Sequence, residues 1–267
     1  MSQQSFPKAL QPYQAIFEQS KVKFVKITHQ RNTETKIWQS KFGGMPFLPH
    51  GIAYPKNDID GKDMYLLAQI NFEEIPEGID YLPKKGILQF YISNDDLYGM
   101  DLDAPNEQKG FKVLYFPEID INNFQRDLPQ LPEPKYTPLN YPLQAHRLTF
   151  EIAEEMINRN DARFHKFFGE QADTLIDLSY EDEEIREWMQ NNLSNAGHKI
   201  GGYAYFTQED PREYNEDKLE TYNTLLLQID SIDDICWGDL GIANFFINQE
   251  KLKKLDFSDV LYNWDCG

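Results

Sequence analysis

Four short apolar blocks occur twice in this chain, in the same order, and the repetition limits the possible folds more than composition does. Residues 43–49 read GGMPFLP, 66–70 read LLAQI, 86–92 read GILQFYI and 111–116 read FKVLYF. The second half answers with GGYAYF at 201–206, LLLQI at 225–229, GIANFFI at 241–247 and FSDVLY at 257–262. The separations are 158 residues for Gly44 and Gly202, 159 for Gln69 and Gln228, 155 for Gly86 and Gly241, and 147 for Tyr115 and Tyr262. Drift of a few residues is what insertions and deletions in surface connections produce. The chain reads as a tandem duplication.

Each block is four to seven residues long, rich in Ile, Leu, Phe and Tyr, and bounded by Gly, Pro, Asn or Asp, which is the pattern of a strand. GILQFYI is almost wholly apolar and reads as a central strand covered on both faces. In LLAQI a period of two puts Leu66, Ala68 and Ile70 on one face and Leu67 with Gln69 on the other. Weaker matches at 22–27 (VKFVKI) and 146–152 (HRLTFEI) open the two halves. Helices are expected outside the blocks: over 180–193 behind Ser179 as N-cap, with Gly197 as stop, around Phe164, Phe167 and Phe168, and around Leu10, Tyr13, Ile16 and Phe17. PQLPEPKYTPLNYP at 129–142 carries five prolines and reads as a spacer. The expectation is an α+β, β-rich single body of two tandem repeats related by a pseudo-twofold, with mainly antiparallel sheets and a few peripheral helices. Repeat one covers about 20–128 and repeat two about 143–267.

Acidic side chains number 44 against 26 basic, a formal net charge of −18, so nucleic acid is not an expected partner. A cationic protein or a small molecule is. No apolar run approaches the roughly 18 residues of a membrane span. The opening MSQQSFPKALQPYQ lacks a basic stretch followed by an apolar one. Two cysteines, Cys236 and Cys266, without C-x-x-C spacing fit a reducing compartment, and a cytoplasmic location is expected.

The segments KFGGMPFLP, LLAQINFEEIP, LPKKGILQFYI, GHKIGGYAYFTQEDPR, LLLQIDS, WGDLGIANFFI and VLYNWDC together resemble the YwqG-like bacterial proteins, a family of unknown function. The resemblance runs from about residue 40 almost to the end. Ala204 departs from the proline that usually follows GGY, and Cys236 from the methionine common before WGD. The resemblance implies a duplicated, β-rich α+β fold in a cytoplasmic bacterial protein; it implies no activity and no cofactor.

G-x-S-x-G, the P-loop pattern, G-x-G-x-x-G and H-E-x-x-H are all missing, which excludes only the enzyme classes that depend on them. Candidate ligand-binding residues come from three places. TQEDPR at 207–212 has no counterpart in the first half, and with His198 it supplies Gln208, Asp210 and Arg212. The alternative is that Asp210 and Pro211 make a turn, Arg212 pairs with a surface acid and His198 caps the preceding helix. QIDSIDDICWGDLG supplies Trp237 and Asp239. Its aspartates, Asp230, Asp233, Asp234 and Asp239, do not follow a calcium-loop spacing, so no metal site is expected. Gln69 and Gln228 either flank a groove between the repeats, lined by Tyr203, Tyr205, Trp237 and Trp264, or satisfy backbone at a strand edge.

Two functions follow. One is a binding or interaction protein using the inter-repeat groove or the acidic face from Glu170 to Glu187. The other is an enzyme or small-molecule site near His198, Arg212, Gln228, Trp237 and Asp239.

Overall fold

The computed structural model describes residues 6–213 and 216–267; residues 1–5 of the opening segment lie outside them. Strands β1 (Val22–Gln30), β2 (Lys41–Phe42), β3 (Tyr65–Asn71), β4 (Ile87–Ile92) and β5 (Phe111–Phe116) precede the proline-rich connector. Strands β6 (His146–Glu155), β7 (His198–Gly201), β8 (Thr224–Asp230), β9 (Ile242–Ile247) and β10 (Val260–Asp265) follow it. All ten join one antiparallel sheet in the order β10-β9-β8-β7-β1-β6-β2-β3-β4-β5. The opening strands of the two halves are exchanged: β1 pairs with β6 and β7, and β6 pairs with β1 and β2.

The sheet curls into a nearly closed, barrel-like body. Phe90 of β4 meets Phe245 of β9 with ring centroids 4.8 Å apart, and Phe111 of β5 meets Tyr262 of β10 at 5.2 Å. Every residue of β3, β4 and β9 is buried, because the curl covers one face and loops or helices cover the other. The β10 edge is closed by the preceding half, with Tyr262 N–H donating to the Pro105 carbonyl at 2.9 Å and Trp264 Nε1–H to the Leu97 carbonyl at 2.8 Å. A covered edge cannot template pairing with another chain.

Both glutamines of the repeated blocks are fully buried and act as clamps. Gln69 accepts from Phe47 N–H at 2.8 Å and donates to the carbonyls of Ile37 and Gln39, both at 2.8 Å. Gln89 on the neighbouring strand donates to the Phe47 carbonyl at 2.6 Å. In the second half Gln228 accepts from Tyr205 N–H at 2.8 Å and donates to the carbonyls of Asn195 and Gly197 at 3.0 and 2.8 Å. Asn244 donates to the Tyr205 carbonyl at 2.9 Å. Thus each amide ties together the chain entering a glycine-pair turn and the chain leaving it.

Simple alternation fails inside these strands. The register of β3 on β4 skips between Leu66 and Ala68, and that of β8 on β9 between Leu225 and Leu227. A bulge inserts one residue and flips what precedes it. Leu66 therefore packs with Met64 and Tyr91, away from Ala68 and Ile70, and Leu225 packs with Phe206 and Phe246.

A second core gathers the segments that precede β1 and follow β6 and β7. The helices α1 (Gln14–Gln19), α2 (Phe164–Phe168), α3 (Ala172–Glu181) and α4 (Glu183–Asn192) bury Phe17, Phe164, Phe168, Leu175, Ile185 and Trp188 there. The expected single helix over 180–193 is instead α3, a break at Asp182, and α4. Asp182 is extended and its side chain caps Ile185 N–H at 3.1 Å, whereas Ser179 lies within α3 and donates to the Ile176 carbonyl. Gly197 stands beyond the helix end at Leu193. The remaining helices are α5 (Glu216–Thr221) and α6 (Gln249–Lys253). The connector is docked onto both halves: Gly44 N–H donates to the Pro142 carbonyl at 2.8 Å, and Cys236 N–H to the Pro138 carbonyl at 2.7 Å. Among the described residues, no helix is long and apolar enough to cross a membrane.

Replacing Gln69 by Leu leaves the Phe47 amide and the Gln39 carbonyl without their partner, at about 1–3 kcal/mol for each buried group, while the Ile37 carbonyl keeps Lys41 Nζ. Urea unfolding of Gln69→Leu is expected to show a loss of at least about 2 kcal/mol, while Gln208→Leu, at an exposed position, stays within about 0.5 kcal/mol. A loss below about 1 kcal/mol at Gln69 would contradict the clamp.

Candidate functional site

The glycine pair at 201–202 shows where to look. Gly201 and Gly202 both have φ of +76°, a conformation glycine adopts without strain. A side-chain carbon at Gly201 would overlap the Tyr81 hydroxyl, and one at Gly202 would overlap a carboxylate oxygen of Glu155. The bare backbone thus lets a first-half tyrosine and the end of β6 close on the same turn.

A cleft of about 460 Å³ opens at this turn. Its walls come from both sequence halves: Val22 and Lys23 at the start of β1, Gly78 to Tyr81 after β3, Gly202 after β7, Asn223 to Leu225 at the start of β8, Gln249 at the start of α6, and Arg163. Lys23 and Asn223 are exposed, so their polar ends are accessible.

Arg163 is held by an ionic network beneath the cleft. Its Nε and Nη2 donate to the two oxygens of Asp161 at 2.7 and 2.6 Å, and its guanidinium stands 4.8 Å from the Tyr203 ring centroid. Arg212 repeats the pattern on Asp210 at 2.8 and 2.6 Å, donates to the Tyr222 carbonyl at 3.1 Å and lies 4.0 Å from the Phe246 ring centroid. Asp210 also accepts from Ala162 N–H at 3.2 Å, which joins the two D-x-R turns. Burial opposes ionisation of Asp161, but the Arg163 guanidinium outweighs it and holds the carboxyl below its ordinary value. The network fixes the guanidinium of Arg163 rigidly at the cleft wall.

Most of the residues expected from sequence to form a site are held in structural roles, with His198 and Gln228 on the neighbouring strands β7 and β8. Asp210 and Arg212 are fully buried in the network just described, so Arg212 does not pair with a surface acid. Gln69 and Gln228 are the clamps and satisfy backbone. Gln208 is exposed and donates to the Cys266 carbonyl at 2.8 Å. Trp237 is fully buried 5.5 Å from Tyr98 and 6.3 Å from Trp264, inside the core and not along a groove. Asp239 is exposed on the turn that follows. His198 does not cap a helix; it lies on β7, where its Nδ1 accepts from Asp230 N–H at 2.9 Å. Tyr203 is buried with its hydroxyl on the Ser20 carbonyl, and Tyr205 lines a separate cavity of about 190 Å³ beside Arg159 and Arg186.

Of the aspartates at 230–239, two are spent on structure: Asp230 accepts from Gly197 N–H at 2.7 Å, and Asp234 pairs with Arg31 at 2.9 Å, while Asp233 and Asp239 are exposed. Among the described residues no group of three His, Cys, Asp or Glu is arranged to hold a metal ion. Cys236 and Cys266 are free. Of the cleft residues, the sequence reading found only the glycine pair. The recurrence of D-x-R at 161–163 and 210–212 is the signal that would have led to Arg163.

Fold and cleft define a β-rich protein with one continuous antiparallel sheet and a cleft of mixed polar and apolar lining at the ends of β1, β7 and β8. The chain belongs to the family described as a domain of unknown function (DUF1963), which matches residues 40–266. No curated protein matches the sequence.

Removing one charge from the network leaves its partner buried without compensation, which costs about 3–5 kcal/mol. Asp210→Asn is expected to lose that much in urea unfolding at pH 7, and a loss under about 1 kcal/mol would contradict the network. The carboxyl of Asp161 sits below 3.8 in the fold, so its contribution is complete above that pH and is lost as pH falls through the folded value.

Proposed function

We propose that this is a YwqG-like, tandemly duplicated binding protein of the bacterial cytoplasm, and that a small polar ligand occupies the cleft walled by Lys23, Tyr81, Arg163, Gly202 and Gln249. The observation that carries the reading is the cleft's composition. Residues from both sequence halves meet there around exposed backbone, a fixed guanidinium, the two amides of Asn223 and Gln249, the ammonium of Lys23 and the carboxylate of Asp80, in a volume within the roughly 300–1,000 Å³ of small-molecule sites. The enzyme reading draws less support, because His198, Arg212, Gln228 and Trp237 are buried and only Asp239 is exposed.

Duplication is supported by three features of the sheet. Exchanging β1–β5 for β6–β10 reverses the strand order and leaves it otherwise unchanged. The clamps of Gln69 and Gln228 close on backbone positions 158 residues apart, Phe47 with Tyr205, Ile37 with Asn195 and Gln39 with Gly197. The bulges fall at the same step of β3 and β8. With Gly86 matched to Gly241, the rung of Tyr115 opposite Leu88 corresponds to Trp264 opposite Ala243, so the separation in the last block is 149 residues and not 147. Repeats of about 20–128 and 143–267 then form one domain, joined by the connector at 129–142.

A second surface is the acidic face of α3 and α4, where Asp173, Asp177, Glu181, Glu183, Glu184 and Glu187 are exposed. A cationic protein partner there would bind with an affinity that falls steeply with added salt.

A thermal-shift screen of polar metabolites tests the cleft, since a ligand present at 100 times its Kd adds about 2.7 kcal/mol to stability and raises Tm by several degrees. The expected result is a hit whose shift is largely lost in Lys23→Glu and Gln249→Ala, both changes at the cleft mouth. A hit with unchanged shifts in both variants would place the ligand elsewhere.

A further inference from the structure

Strand β7 is weakly tied by backbone. It shares four rungs with β1, from Phe24–Gly201 to Ile27–His198, and a single rung with β8, Lys199–Gln228. Side chains hold the rest. The Asp230 amide of β8 donates to His198 Nδ1 at 2.9 Å, and His198 Nε2 lies 3.1 Å from His29 Nδ1 on β1. The amide proton cannot be withdrawn, so His198 Nδ1 must carry a lone pair. Neutral His198 then bears its proton on Nε2 and donates it to His29 Nδ1, which leaves the His29 proton on its own Nε2. The relay runs in one direction across three strands.

We infer that this His198–His29 relay is a proton-operated lock on the strands that frame the cleft. Both nitrogens still able to take a proton, His198 Nδ1 and His29 Nδ1, already accept N–H groups. Protonating either puts two donors face to face, so proton uptake and rupture of the relay are one event. The four-rung ladder has His198 at one end and the cleft turn, Gly201–Gly202 against Phe24, at the other. Loss of the relay shortens the ladder toward the cleft. That consequence for binding rests on the cleft reading; the lock itself does not.

The surroundings favour the neutral rings. His146 on β6 lies 5.7 Å from His29, ring to ring, and Phe42 on β2 packs 5.2 Å from His198. Asp233, Asp234 and Arg31 face the group from the loops, Asp230 from β8, and the Lys199–Glu155 pair adjoins it on β7 and β6. Burial lowers His198 to about 3, with His29 adding to the effect. Burial also lowers His29, against the opposing pull of Asp233 and Asp234. A histidine whose folded value is lowered stabilises the fold fully above its ordinary value of 6.5, and that contribution is lost as pH falls from there toward the folded value, with a slope that approaches tenfold in the folding equilibrium per pH unit.

Imidazole 15N NMR on the ligand-free full chain decides the matter. At pH 7.5 both rings are expected in the Nε2–H form, and on acidification they change together, in step with loss of amide protection at Val25, Ile27 and Ile200. A Nδ1–H ring at either position, or a His29 that titrates alone near 6.5 with those amides unmoved, would overturn the lock. Urea unfolding gives a second reading: between pH 6.5 and 5.5 the folding equilibrium of the wild type should fall more than that of His29→Asn, by up to about fivefold, because Asn keeps an acceptor toward His198 but cannot titrate. Equal falls would overturn it too. Neither measurement involves a ligand, so a failed lock leaves the cleft reading standing, and an empty cleft leaves the lock standing.

Discussion

A buried amide that satisfies both ends of a turn is the interaction on which this sheet depends. β2 has two residues, and β7 has four, too few for backbone ladders to hold them in place. Gln69 and Gln228 supply the missing bonds by reaching across to the chain on each side of a glycine pair. An amide is the side chain suited to this, because it carries an acceptor and two donors that remain uncharged on burial. A carboxylate in the same place would lack the donors and would bring a charge out of water.

The distribution of charge follows from the same economy. A chain with net charge −18 holds several of its cations inside. Lys199 is buried on Glu155, Arg212 on Asp210, and Lys41 donates to the Ile37 carbonyl at 2.7 Å. Burial lowers Lys41 to about 7, with Glu74 opposing the fall. Each interior charge has a defined partner, while the acids of α3 and α4 remain in water. Inside, charge fixes geometry at the cleft wall; outside, it sets the long-range field that a partner meets.

Legibility in the sequence tracked distance along the chain. Blocks such as GILQFYI announce strands because burial on both faces requires an apolar run, and their recurrence marks which strands correspond. The exchange of β1 and β6 was hidden, since nothing local to VKFVKI or HRLTFEI says which neighbour it will choose. The bulges at Leu67 and Leu226 were hidden in the same way, as LLAQI alternates perfectly on paper until pairing with β4 removes a step. TQEDPR looked like a ligand site because it has no counterpart in the first half, yet Arg212 is among the largest fully buried side chains. The pair that completes its network, Asp161 and Arg163, comes from a part of the chain that drew no attention. His29 was missed for that reason also: one histidine on a strand carries no message until the fold sets it 3.1 Å from another.

Native-state hydrogen exchange at the amides of Phe47 and Tyr205 measures the clamps directly, because each of these N–H groups donates to a glutamine side chain and to no backbone ladder. If the clamps hold the turns, both amides exchange only through global unfolding, with the same denaturant dependence as the amides of β4 and β9. Exchange of either one through a local opening, independent of denaturant, would contradict the account.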